Sequence, residues 1–524
     1  MKRRDFLKMT QLAGMAYMIN GMPINTFASN PLLDLLGKQT SVNGRVLILI
    51  QLNGGNDGLN TVIPLDKYSE LSNARSNILI PQNKVLSLAN TTTTGLHPAM
   101  TGVQDMYNNN LVNIVQGVSY PDPNFSHFRA TDIWLTGSDS KQYLNSGWLG
   151  RYLEKDYAGF PTGYPNASMP DPLAIQVGSS TSPALQGSNY NMGMAINNID
   201  SFYNIVNGTV TPAPNTPAGH ELTFVRYISQ QTQTYTNVIA KAAQKATNKS
   251  TKYPVGDRFA EQLKIVARLI AGGLKTPIYV VNLGGFDTHS LQTDATDTTI
   301  GNHANLLESL SESIAAFFDD CKILDIEERV AAMTFSEFGR RIKSNASGGT
   351  DHGVAAPVMV FSHHVNPGII GSSPKLPGNA SVFDNLEMQH DFREVYAAVL
   401  ADWFQVSQQT MDDILLKNFK VQPVFKKVNN IEQTTIAGAN DSLHQNYPNP
   451  FSRHTTIEFG SEGGLTTIQL FDVNGRKVKT ILQKQMERGK HQVTINRDNL
   501  PAGNYFYRLT NGKTNSTKKL VIVD

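Results

Sequence analysis

Two short runs, Pro277–Leu283 and Arg329–Phe335, are mostly apolar, and each breaks into a segment holding acids or imidazoles. A strand that is apolar at alternate and intervening positions alike must be covered on both faces. A parallel sheet between two helical layers meets that condition. The first run ends at Gly284-Gly285 and delivers Phe286-Asp287-Thr288-His289. The second delivers Ser336-Glu337-Phe338-Gly339-Arg340-Arg341, and a Gly-rich loop then presents Asp351-His352. In open α/β sheets, ligands bind beyond the carboxyl ends of the strands. Carboxylates and imidazoles gathered there are the usual ligands of a divalent cation.

The same pattern begins at Arg45–Leu52, which runs into Asn53-Gly-Gly-Asn-Asp57, and returns at Leu111–Gly117, followed by Ser126-His127-Phe128. Helices are expected over Phe128–Leu135, Trp148–Glu154, His303–Leu324 and Asp391–Phe404. Leu306, Leu307, Leu310, Ile314, Phe317 and Phe318 recur at helical spacing in the third of these. Residues 156–220, rich in Gly, Pro, Asn, Ser and Thr, read as a long irregular insertion. Strands alternating with helices argue for a mainly parallel sheet covered on both faces. Past a polar linker at 426–441 the chain changes to short runs separated by turns, with Asn474-Gly475 as a hairpin signal. This reads as a small antiparallel all-β sandwich, expected to carry no chemistry.

Length and composition limit the rest. A chain of 524 residues exceeds one ordinary domain. Its net charge of +2, from 45 basic and 43 acidic residues, gives no reason for a nucleic-acid partner. The single cysteine, Cys321, excludes an intramolecular disulfide framework and reads as core. No apolar run reaches the length of a membrane span. At the N-terminus, Arg3-Arg4 followed by Phe6-Leu7-Lys8 and a mildly apolar stretch resembles a twin-arginine export signal, with a cleavage site after Ala28. An ordinary secretory signal or a disordered basic terminus is the alternative.

The tail resembles the C-terminal sorting domain of the type IX secretion system of Bacteroidetes. The matching motifs are Asn446-Tyr-Pro-Asn-Pro-Phe451, Phe471-Asp-Val-Asn-Gly-Arg476, Leu500-Pro-Ala-Gly-Asn-Tyr505 and Lys518-Lys-Leu-Val-Ile522. The resemblance implies inner-membrane export, folding in the periplasm, and passage by the type IX machinery to the cell surface or medium, while the N-terminal signal implies the twin-arginine translocase as a partner. The organisation expected is a signal over 1–28, an α/β domain over 29–425, a linker over 426–441 and the sorting domain over 442–524.

The large domain resembles the domain of unknown function 1501 family, of the alkaline-phosphatase-like superfamily. The resemblance rests on Gln51–Asn60, Leu96-His-Pro-Ala99, Ser126-His-Phe128, Gly285–His289, Ser336–Arg340 and Thr350–Gly353. It implies an alkaline-phosphatase-like α/β fold and hydrolysis of a phosphate or sulfate ester with one or two divalent metal ions. Implied ligands are Asp57, Asp287, His289, Glu337, Asp351 and His352, with Ser126 as nucleophile, His127 assisting, and Arg340 paired to the ester oxygens. The residues themselves leave other readings open: a turn carboxylate at Asp57, a helix N-cap at Ser126 and a salt-bridge arginine at Arg340. Two departures from the superfamily pattern, Phe338 beside Glu337 and one residue between Asp287 and His289, favour the alternative of a non-catalytic surface protein binding glycan, sulfated polymer or protein.

Overall fold

The computed structural model describes residues 18–19, 22–23, 44–197 (except 167), 235–426, 443 and most of 445–523. The expected twin-arginine signal apart from residues 18–19 and 22–23, nearly all of the expected linker, and residues 198–220 of the expected insertion, with His220, lie outside them. The chain divides into two compact units, Met1–Lys427 and Val428–Asp524.

The first unit is built on a nine-stranded sheet. Its strands are β1 (Val46–Asn53), β2 (Val112–Ser119), β3 (Ala174–Val177), β4 (Met194–Ile196), β5 (Ile278–Gly284), β6 (Val330–Phe335), β7 (Ala356–Phe361), β8 (Gly368–Ile370) and β9 (His390–Asp391). They lie in the order β8-β2-β7-β6-β1-β5-β3-β4, with β9 also on β2. All neighbours are parallel except β7, which runs against both β6 and β2. Helices α1 (Thr101–Asn108), α4 (Arg258–Ala271) and α5 (Asn302–Ile323) cover one face. Helices α2 (His127–Thr136), α3 (Trp148–Asp156) and α6 (Phe392–Ala398) cover the other. Strand β1 shows why the sequence demands both layers: Val46, Ile48, Ile50 and Leu52 enter the first core, while Leu47 and Leu49 enter the second. The mainly parallel α/β sheet expected from the sequence is present. Cys321 is buried in the core, as expected.

Several features differ from the sequence expectation. The stretch 156–220 contributes β3 and β4 at the sheet edge, where four- and three-residue strands are too short to show a period. Helix α4, capped by Asp257 accepting from the Ala260 N–H at 2.8 Å, stands where no element was expected. Helix α6 ends early and continues as a π turn over Val399–Trp403. No helix among the described residues is long and apolar enough to cross a membrane.

In the second unit four antiparallel strands, β10 (His454–Phe471), β11 (Lys477–Asn496), β12 (Gly503–Asn511) and β13 (Thr514–Ile522), pair in the order β11-β10-β12-β13. Hydrogen bonds join them into one sheet, in which His454–Phe471 is one continuous strand where the sequence reads as short separate runs. Ile457, Phe459, Ile468, Leu470, Tyr507 and Leu520 fill its core. Phe451 joins the sheet at Ile522.

Candidate metal centre

Strands β1, β5 and β6 are neighbours, so their carboxyl ends bring the Asn53, Gly284 and Phe335 loops together. Gly54 makes the approach possible. Its φ is +124°, and a Cβ there would stand 2.3 Å from the Asp287 backbone nitrogen. A side chain at residue 54 would therefore force the first and second loops apart. Ser336 fixes the third loop, donating to the Leu52 carbonyl at 2.7 Å and accepting from the Asn56 N–H at 2.9 Å.

Four side chains converge above this junction: His127 from the start of α2, Asp287 and His289 from the loop after β5, and His352 from the Gly-rich loop. Ligand atoms of His127, Asp287 and His352 all lie within 4.8 Å of one another. His289 Nε2 joins them, 3.2 Å from Asp287 Oδ1 and 2.9 Å from His352 Nε2. His352 Nε2 is 3.2 Å from Asp287 Oδ1, and His127 Nε2 is 3.5 Å from Asp287 Oδ2.

Each imidazole is held through its other nitrogen. His352 Nδ1 is 2.8 Å from the Phe125 carbonyl, which only accepts, so the proton sits on Nδ1. His289 Nδ1 is 3.1 Å from Asp351 Oδ1, and Asn345 donates to that same oxygen at 3.1 Å. His127 Nδ1 is 2.8 Å from Glu337 Oε1, which also accepts the Gly54 N–H at 2.9 Å. With all three protons placed on Nδ1, the Nε2 lone pairs face one another and a carboxylate. A divalent cation, or a further proton on one ring, among the four groups would relieve their mutual repulsion. Imidazoles whose second nitrogen donates to a carboxylate or carbonyl are the usual form of a metal-binding histidine. Four ligands about 2.1 Å from a tetrahedral ion would be about 3.4 Å apart. The contacts of Asp287 with the three rings and of His289 with His352, 2.9 to 3.5 Å, bracket that spacing. The donor set fits a divalent ion.

The acids respond to these neighbours. Partial burial would raise the Asp287 carboxyl, but the hydrogen bond from Arg340 and the charge of its guanidinium outweigh it and hold the group down at about 2. Burial likewise opposes, and Asn345 and His289 overcome it, at Asp351, which is lowered. His352 is lowered chiefly by desolvation.

The other residues singled out in the sequence have different placements. Glu337 and Asp351 stand behind His127 and His289 and touch the centre through those rings. Asp57 is 1 % exposed, and its carboxylate is taken by Arg75 at 2.8 Å and by Gln292 at 2.6 Å. It is therefore neither at the cluster nor a simple turn carboxylate. Arg340 is buried, and its guanidinium bonds the carbonyls of Gly54, Gly55, Phe286 and Thr350 together with Asp287. The bidentate fork expected to meet an ester is instead turned inward to clamp the three loops. Ser126 is exposed and precedes α2, yet its side chain makes no capping bond. It lies between Phe125, whose carbonyl holds His352, and His127. His303 is buried, with Nε2 2.9 Å from Asn56 Oδ1, under the loop after β1.

Arg75, Gln292 and Asn345 went unnoticed in the sequence. Arg75 ends a short helix like any surface arginine, and neither amide carries a spacing signal. Only the tertiary fold shows that they hold Asp57 and Asp351.

A family model described as "Protein of unknown function (DUF1501)" matches residues 115–415, and one for the secretion system C-terminal sorting domain matches residues 445–523. No curated protein matches the chain. Among solved structures, similarity extends to a protein in the alkaline phosphatase superfamily from Vibrio parahaemolyticus, with 10% identity, 85% of this chain and 82% of that chain covered, and a TM-score of 0.32. The PsFucS1 sulfatase from Pseudoalteromonas sp. shows 9% identity over 89% of this chain and 86% of its own, with a TM-score of 0.30. A structure from work on glycosaminoglycan metabolism by Bacteroides thetaiotaomicron shows 10% identity, 84% and 90% coverage, and a TM-score of 0.34.

Proposed function

The chain belongs to the DUF1501 family, and from that premise we propose that it is an exported, metal-dependent hydrolase of phosphate or sulfate esters. The observation that carries the reading is the turning of three imidazole Nε2 atoms toward Asp287, with each Nδ1 anchored behind. His127, His289, His352 and Asp287 would hold one divalent ion. A set of three imidazoles and one carboxylate suits zinc or a similar borderline ion better than calcium or magnesium. Such an ion, when bound, supplies Lewis-acid stabilisation of the charge that develops on an ester's oxygens.

The chain's own residues do the rest. Glu337, Asp351 and the Phe125 carbonyl keep the rings in one tautomer and one orientation. Arg340 holds the loops in register and does not reach the substrate. Ser126 is the proposed nucleophile: it is solvent-facing, and both of its neighbours are tied to the centre. Its attack on the phosphorus or sulfur would break the ester bond and release the alcohol, and water would then restore the serine.

Metal analysis of protein purified without chelators tests the first half of this reading. About one zinc-like ion per chain is expected, and a chain that stays metal-free after dialysis against such ions overturns it. Turnover of p-nitrophenyl phosphate or sulfate tests the second half. A folded Asp287→Ala variant that keeps turnover would count against this centre.

The second reading is a non-catalytic surface binding protein. Its specific support is Arg340, whose fork is spent on backbone carbonyls and so is not offered to an anion.

The sorting-domain match supports export by the type IX machinery to the cell surface or medium. Entry to the periplasm through the twin-arginine translocase rests on Arg3-Arg4. A chain truncated after residue 441 should accumulate in the periplasm. Its appearance at the surface would refute the sorting role.

A further inference from the structure

A pocket of about 620 Å³ opens beside the metal centre and shares His127, Asp287 and Glu337 with it. That volume lies in the range of small-molecule sites. Its floor is the end of the sheet, where the face packed on α2 and α3 changes from apolar to amide. Leu47 and Leu49 of β1, Ile278 and Val280 of β5 and Ala174 of β3 belong to the core on that face. The next residues of the same parity are Gln51, Asn282 and Gln176, and all three line the pocket. Asn282 pairs with Gln51, while Gln176 pairs with Val280, so the third carboxamide lies on the same face of the next strand but one same-face step back from the other two.

Two of these amides have acceptors to spare. Gln176 Oε1 and Asn282 Oδ1 are buried without a hydrogen-bond partner, and Gln176 is 2% exposed. A buried acceptor is costly to leave without a donor. Hydroxyls complete the wall: Thr131, Ser180, Thr181 and Ser182. At the mouth stands Phe128, 91% exposed, next in sequence to His127. A large ring left in water beside a site is suited to stacking on the C–H face of a flat ligand ring.

The charges point one way. No lysine or arginine lines the pocket, and its charged residues, Asp132, Asp287 and Glu337, are all acidic. A polyanion entering here would desolvate its charges without a cation to meet them. A ligand rich in hydroxyls and free of charge would instead donate to the amides and exchange bonds with the wall.

We infer that this pocket binds an uncharged carbohydrate ring, stacked on Phe128 and hydrogen-bonded to Gln51, Asn282 and Gln176. The inference deepens the hydrolase reading, on which it rests for the pocket's role: the pocket would take the alcohol side of the ester. Binding itself needs no turnover.

The test is retention of the exported protein on an array of neutral and sulfated oligosaccharides, followed by titration calorimetry with the neutral glycan best retained. Neutral glycans should be retained, and Phe128→Ala and Gln176→Leu should each weaken that binding at least tenfold. Chelator-treated protein should still bind. If only sulfated glycans are retained, if none is, or if Phe128→Ala binds as well as the parent, the inference falls. Because chelated protein is read separately, loss of the metal or of turnover overturns the hydrolase reading without touching this one.

Discussion

His289 and His352 meet through their Nε2 atoms at 2.9 Å, while their Nδ1 atoms are bonded to Asp351 and to the Phe125 carbonyl. Neither ring has a proton to give the other in its neutral form. A bound cation beside the two nitrogens, or a proton on one of them, makes the contact favourable, and Asp287 Oδ1 lies 3.2 Å from both. His352→Ala and His289→Ala should therefore each lower zinc affinity at least a hundredfold, measured by competition with a chromogenic chelator. Zinc at a hundred times its dissociation constant should stabilise the parent by about 2.7 kcal/mol. A variant that keeps the parent's affinity would remove that histidine from the centre.

Glu337 tests the layer behind the proposed ligands. Its Oε1 accepts from both the Gly54 N–H and His127 Nδ1, so it fixes the ring and the first loop together. Glu337→Gln keeps an acceptor oxygen but loses the negative charge. Metal affinity should fall about 10- to 100-fold, the usual effect of losing an outer partner. Folding should be retained in circular dichroism. A loss of metal as complete as that from Asp287→Ala would make Glu337 a direct ligand instead.

The sheet was legible in the sequence because β1, β5 and β6 are buried on both faces and their runs break at marked loops. The helix beginning at residue 302 was legible through its apolar stripe. Strand β7 was not, although six residues, Ala356–Phe361, place it between β6 and β2. A lone antiparallel strand inside a parallel sheet has no βαβ spacing to announce it, and Pro357 argues against a central strand. At the site, the loops carrying Asp287, His289, Asp351 and His352 were recognisable because acids and imidazoles follow strand ends. Which of them face one another was not. Ring orientation is decided by Asn345, the Phe125 carbonyl and Glu337, partners remote in sequence with no pattern linking them. Asp57 shows the same limit: its partners Arg75 and Gln292 are 18 and 235 residues away.

Asp57 and Arg75 form a buried pair at 2.8 Å, with side chains 1% and 0% exposed. Removing one partner strands the other charge. Asp57→Ala should destabilise the large unit by about 3–5 kcal/mol in urea unfolding. Replacing both residues, Asp57→Asn with Arg75→Met, should cost less than the single change. If Asp57→Ala unfolds like the parent but loses its metal, the residue is a ligand after all.

Two buried histidines set the acid limit. Desolvation holds His303 down at about 4 and His97 at about 3; Asp57 works against this at both, while Arg340 and Arg75 reinforce it at His303. Their rings meet edge-on at 6.2 Å. In the unfolded chain both take up a proton near pH 6.5, so below that pH the unfolded state binds more protons than the folded one. Stability is thus full above about pH 6.5 and declines as the pH falls toward 4, at up to about 1.4 kcal/mol per pH unit for each histidine. Asp57, whose carboxyl Arg75 keeps low against the effect of burial, adds a further loss only below the ordinary carboxylate range. The urea midpoint should therefore drop between pH 6.5 and 4.5, and His303→Gln should flatten that slope by about half. An unchanged slope in the variant would mean that His303 is already protonated in the folded protein.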